Sequence, residues 1–256
     1  MKAIIAAVAI SFAFLAQVKA AEIKVLSPGA FRGILPTLAP EFERLSGHKV
    51  TFSIYTPIVL TERLLKGEPA DVAFATASTA GQRLAVLEKA GRIIAGSLVE
   101  LGGAFVAVAI RAGQPKPDLS NPEAVKRTLR AAKSVAISDP SGGTVQGRFV
   151  LDLADRFGFD PELRSRFKLI PGGGNRVAEA VVSGEADIGI TLSTEIVFVK
   201  GAEIAGPLPP QMQRRAVFYA VQVMGTQQLE VGKAFIDFML LPASKRVMQS
   251  YGVDPR

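Results

Sequence analysis

Apolar positions along the chain switch repeatedly between two spacings. Val50, Phe52 and Ile54 alternate within Lys49–Tyr55, as in a half-buried strand, whereas Ile34, Leu35, Leu38, Phe42 and Leu45 recur at helical spacing. Glu22–Leu26, Asp71–Thr76, Gly103–Ile110, Ser134–Ser138, Phe167–Ile170, Asp187–Thr191 and Ala216–Met224 read as further strands. Helices are predicted over Gly33–Leu45, Ile58–Lys66, Ala80–Ala90, Asn121–Ala132, Val145–Phe157 and Val177–Ser183. Two more, Gln228–Leu241 and Ala243–Tyr251, close the chain and are split at Pro242. Alternating strands and helices predict an α/β fold with largely parallel sheets. About eight such units exceed one simple sheet, so two lobes are expected.

In open α/β sheets ligands bind beyond the carboxyl ends of strands, where helix N-termini gather. Five strand-to-helix turns are therefore candidates: Ser27-Pro28-Gly29-Ala30, Thr56-Pro57, Asp139-Pro140-Ser141-Gly142-Gly143-Thr144, Pro171-Gly172-Gly173-Gly174-Asn175 and Leu192-Ser193-Thr194. All consist mainly of Gly, Pro and small hydroxyl residues, which let backbone N–H groups approach an anion. Singly, such residues just make turns; their recurrence at five strand ends points to a site. One helix N-terminus favours an anion by about 0.3–1 kcal/mol, up to about 2 when partly buried, so four or five give roughly 5–10 kcal/mol. Micromolar binding needs about 8 kcal/mol.

Composition removes most catalytic chemistry. There is no cysteine and a single histidine, His48, in a Ser46-Gly47-His48-Lys49 turn, so thiolate nucleophiles and His/His or Cys metal sites are excluded. No Gly-x-Ser-x-Gly or P-loop pattern occurs. The expectation is a protein with no catalytic residues, cofactor or metal. The formal charge of +7 suits an anionic ligand, but the basic residues are scattered and form no nucleic-acid patch.

The N-terminus places the protein in a compartment. Lys2 precedes an apolar run from Ala3 to Ala16, and Val18-Lys19-Ala20-Ala21 offers small residues for cleavage after Ala20 or Ala21. This is a secretory signal pattern, too short to span a bilayer. Its removal takes Lys2 and Lys19 and leaves a formal charge of about +5.

Several segments resemble the periplasmic molybdate-binding proteins of ABC transporters: Ile23-Lys24-Val25-Leu26-Ser27, Leu38-Ala39-Pro40-Glu41-Phe42-Glu43, Gly47-His48-Lys49-Val50, Gly67-Glu68-Pro69-Ala70-Asp71-Val72, Ser138-Asp139-Pro140 with Gly142-Gly143, Gly184-Glu185-Ala186-Asp187-Ile188-Gly189-Ile190, Phe235-Ile236-Asp237-Phe238 with Pro242, and Tyr251-Gly252-Val253. The resemblance spans the chain after the signal. It implies a type II periplasmic binding fold: lobe I over 21–104 and 218–256, lobe II over 105–217, with hinge crossings near Phe105 and Phe218. It also implies a monomer that takes a small anion and meets an inner-membrane permease with its ATPase subunit.

The resemblance places main-chain donors at Val145 and Gly174. It places serine, serine and tyrosine where this chain has Ala30, Pro57 and Leu192, and Pro57 has no N–H to donate. Ser27, Thr56 and Ser193 stand beside these positions as substitutes, with Gly29, Gly143 and Thr144 completing the turns. Arg32, in the first turn of the first helix, would suit a carboxylate bidentately. The expected ligand is a molybdate-like oxyanion in the cleft between the lobes. The alternatives are a small organic carboxylate and a periplasmic sensor with the same fold.

Overall fold

The computed structural model describes residues 20–77, 80–142 and 145–254. The signal segment up to Lys19, together with Gly143 and Thr144, lies outside the described residues.

The first half begins with β1 (Glu22–Pro28), a 3-10 turn (Gly29–Phe31), α1 (Ile34–Ser46), β2 (Lys49–Tyr55), α2 (Pro57–Leu65), β3 (Val72–Ala77) and α3 (Ala80–Lys89). A long β4 (Val99–Arg111) leads into α4 (Pro122–Ala131), β5 (Val135–Ser138), α5 (Val145–Arg156), α6 (Pro161–Ser165), β6 (Phe167–Ile170), α7 (Gly174–Ser183), β7 (Ile188–Leu192), α8 (Ser193–Ile196) and β8 (Ala202–Pro207). β9 (Arg215–Gln222), α9 (Leu229–Met239) and α10 (Pro242–Ser250) complete the chain.

The strands run in the order β2-β1-β3-β9-β4-β7-β5-β6, with β8 also on β4. The parallel pairings expected from the alternation are present in both halves, as β1 with β2 and β3, and β5 with β6 and β7. The pairings through β9 and β4 are antiparallel. β4 is longer than its predicted Gly103–Ile110 because pairing runs through Gly102-Gly103, with a register shift beside them. Its first half pairs β9 from Val99 to Phe105, and its second half pairs β7 and β8 from Val106 onward. Asp254 also bridges to Gly103 near this passage.

Packing fixes the turns that face the site. Phe31, which ends the 3-10 turn, is fully buried and meets Phe74 of β3 at 4.7 Å and Phe218 of β9 at 5.2 Å between ring centroids. Such tilted and edge contacts add to the burial of large apolar area, so the turn carrying Gly29 and Ala30 is anchored from below. In the second half, α7 lays Val177, Ala178 and Val181 on Ala107, Ala109 and Ala136 of the sheet. These small residues let the helix approach closely: a Cβ on Gly189 would stand 2.7 Å from Val177. That approach sets the N-terminus of α7 beside β7.

Candidate functional site

A cavity of about 280 Å³ opens where these turns meet. From the first half it is lined by Pro28, Gly29, Ala30 and Arg32, then by Ile54, Tyr55, Thr56, Pro57 and Val59, and by Thr76 at the end of β3. From the second half come Gln146 of α5, Gly173 and Asn175 of the fourth turn, and Leu192 and Glu195 of the fifth. The structure thus gathers Gly29, Ala30, Arg32, Thr56, Pro57 and Leu192 around one space.

Other candidates are placed differently. The buried Ser27 hydroxyl donates to the Pro28 carbonyl at 3.2 Å and does not line the cavity. Ser193 is also fully buried; its hydroxyl donates to the Gly252 carbonyl at 2.7 Å and accepts from the Phe105 N–H at 3.4 Å. Both hydroxyls are thus engaged within the fold, and neither serine lines the cavity. Thr56 lines the cavity and caps α2, its hydroxyl oxygen accepting from the Val59 N–H, which leaves the hydroxyl proton available. Val145 begins α5. His48 sits in the turn after α1, where its Nδ1 accepts from the Ala21 N–H at 3.2 Å.

The residue that dominates the site lay just past the fifth turn as read from sequence. Glu195 is only 6% exposed, yet it forms part of the cavity wall. Thr191 donates to its Oε2 at 2.7 Å, and the backbone N–H groups of Gly174 and Leu192 also donate to the carboxylate. Leu192 is the N-cap of α8, so Glu195, at the third helical position, reaches back to the cap amide as in half of a capping box. Gly174 opens α7. One carboxylate thus closes two helix N-termini, and the Gly174 amide expected to meet a ligand is already engaged. A Cβ on Gly174 would collide with Oε2, so only glycine fits there. Oε1 faces the opposite turn, 3.9 Å from where a Cβ on Gly29 would stand.

Burial holds the Glu195 carboxyl above the usual carboxylate range. The Thr191 hydroxyl, the two amides and the Arg32 charge pull it down, but by less. Arg32 itself is exposed on the cavity wall with no ion pair among the described residues. Arg83 of α3 lines a small apolar cavity of about 20 Å³ that shares Pro28, Pro57 and Thr76 with the larger one. It too has no ion pair there, and burial lowers its pKa. No group of three or more His, Cys, Asp or Glu among the described residues could hold a metal.

Residues 23–254 match the family described as bacterial extracellular solute-binding protein. The chain belongs to this family of ABC-importer solute-binding proteins. It is 32% identical over 236 residues to an aconitate isomerase of Pseudomonas sp., covering 90% of this chain and 87% of the relative. It is 26% identical to the molybdate-binding protein of Escherichia coli, covering 96% of this chain and 95% of the relative. Among solved structures, the periplasmic molybdate-binding protein of Azotobacter vinelandii superposes with a TM-score of 0.71 at 21% identity, over 91% of this chain and 99% of that one. The fold is therefore the two-lobed type II periplasmic binding fold. Among the described residues no helix is long and apolar enough to cross a membrane.

The sequence reading missed Glu195, Thr191 and Gln146, and it named Asn175 only as the end of the fourth turn. The signal for the first two was a Thr and a Glu four residues apart inside the apolar stretch from Ile188 to Val199. A carboxylate in such a run needs partners, and the i,i+4 threonine is one of them.

Proposed function

We propose that the cavity holds a small organic polycarboxylate, with Arg32 as its principal cation, and that the exported chain delivers this ligand to an ABC permease. The observation that carries the reading is the seating of Glu195 on the amides of Gly174 and Leu192. A tetrahedral oxyanion placed at those donors would abut a second anion or displace it, and Ala30, Pro57 and Leu192 add no side-chain donor. Cations without an ion pair among the described residues stand at Arg32 in this cavity and at Arg83 in the small cavity that shares Pro28, Pro57 and Thr76 with it. An elongated ligand with several carboxylates can reach a guanidinium while keeping its apolar carbons near Glu195. In this reading the halves close on the ligand about the crossings near Phe105 and Phe218.

Calorimetry against molybdate, tungstate, sulfate and a panel of di- and tricarboxylates tests the reading. A carboxylate is expected to bind, and Arg32→Ala to weaken it about 10–100-fold, the size of a lost charge-assisted hydrogen bond. Micromolar molybdate binding that survives Arg32→Ala would refute it.

A second reading is favoured by the acid–base group in the cavity wall together with the relative named aconitate isomerase. Here the chain also converts its ligand, interconverting the cis and trans forms of an unsaturated tricarboxylate. The expectation of no chemistry rested on the scarcity of His and Cys, which passes over a buried carboxyl. Incubation with one pure isomer, followed by proton NMR, tests this directly.

A further inference from the structure

We infer that Glu195 is the catalytic acid–base of this cavity, shuttling one proton between two carbons of a bound unsaturated polycarboxylate. The inference rests on the second reading above, in which a bound carboxylate is converted, and assigns that chemistry to one side chain.

The argument is by elimination and by geometry. Three titratable side chains line the cavity among the described residues: Arg32, Tyr55 and Glu195. A guanidinium offers donors and no acceptor, which sets Arg32 aside as a base. Tyr55 turns its hydroxyl away toward Glu68 at 3.5 Å, with the Arg63 guanidinium 4.3 Å over its ring. Glu195 is the remaining group: it forms part of the cavity wall, Thr191 donates to its Oε2, and its Oε1 packs against the Gly29 turn, 3.9 Å from where a Cβ would stand. A carboxylate held in one orientation by a hydroxyl and two amides in the wall of a ligand cavity is positioned to act as a base once the ligand is bound.

The step balances without a co-reactant. The Glu195 carboxylate takes a proton from a methylene that lies between a ligand carboxylate and the carbon–carbon double bond. The C–H electron pair spreads over the three-carbon unit and into the flanking carboxylates, where Arg32 stabilises the added charge. The protonated Glu195 then gives the proton to the far carbon of the unit. The double bond shifts by one position, and the orientation held in the cavity sets its new geometry. No atom or electron is gained or lost. Burial suits the task, because it keeps the carboxyl above its ordinary value and so makes the carboxylate a stronger base.

On α7 and β8, which pack against α8, the charged side chains are paired. Arg32 reaches Glu195 across the cavity, Arg176 and Glu179 on α7 pair with each other, and Glu203 of β8 pairs with Lys116.

The test compares wild type, Glu195→Gln and Thr191→Val, following cis-aconitate by proton NMR for turnover and by calorimetry for binding. Glu195→Gln is expected to lower kcat by about 10²–10⁴-fold while Kd stays within about tenfold, which also shows that the variant is folded. Thr191→Val removes a donor that favours the ionised carboxylate, so it is expected to move the rising limb of the kcat–pH profile to higher pH. Turnover in Glu195→Gln within tenfold of wild type would overturn the inference. Wild-type protein that binds the tricarboxylate without converting it would overturn the inference and leave the carboxylate reading standing. If no carboxylate binds, the carboxylate reading falls as well.

Discussion

Glu195 loses nearly all contact with water on folding, and this makes stability depend on pH in a definite direction. Its carboxyl lies above the ordinary value of 4.5 in the folded chain, so the folded state holds its proton over a pH range in which the unfolded state has released it. Its contribution to stability therefore falls as pH rises from about 4.5 and levels off above the raised value. Glu195→Gln removes this titration and is expected to melt at a higher temperature than wild type near pH 8. The difference should shrink toward pH 4, as measured by calorimetry across that range. Ser193 behaves oppositely to its role as a candidate ligand: Ser193→Ala is expected to leave ligand affinity unchanged and to cost about 1–2 kcal/mol in chemical denaturation, because the bond to the Gly252 carbonyl is lost. The wall of the cavity was partly legible from residue types, since Gly29, Arg32 and Thr56 are of the kind that forms strand-end turns. Glu195 was not, because its burial arises from the fold placing α7 and the first turn over it rather than from its own neighbours in sequence.

At the scale of elements, the long periodic segments were readable and the short ones were not. β2 spans the predicted Lys49–Tyr55, and α4 begins at Pro122 with the Asn121 side chain accepting from the Ala124 N–H. By contrast α6 and α8, of five and four residues, complete too few turns to show a helical period. β8 escaped because every residue from Ala202 to Gly206 is half-buried, so no alternation marks it. α5 illustrates a packing constraint invisible in its own pattern. A Cβ on Gly147 would strike the Ser138 carbonyl at the end of β5, so the helix rests on the strand with no room for a side chain. Gly147→Ala is expected to destabilise by about 1–3 kcal/mol despite the better helix propensity of alanine, as urea denaturation would show.

For the whole molecule, the alternation of strands and helices conveyed the α/β class and the parallel pairings, because each follows from local period and connection length. The antiparallel joins did not follow, since they depend on β9 returning from far along the chain to lie between β3 and β4. β4 has a thermodynamic consequence of its own. Its thirteen residues, Val99–Arg111, pair β9 over the first part and β7 and β8 over the second. Melting either half strips hydrogen-bond partners from a strand that the other half needs, and the contact between Ser193 and Gly252 breaks at the same time. The halves are thereby bound into one cooperative unit. Scanning calorimetry of the ligand-free chain is expected to show a single peak whose van't Hoff and calorimetric enthalpies agree, whereas two resolved peaks would mean that the shared strand can serve one half while the other is unfolded.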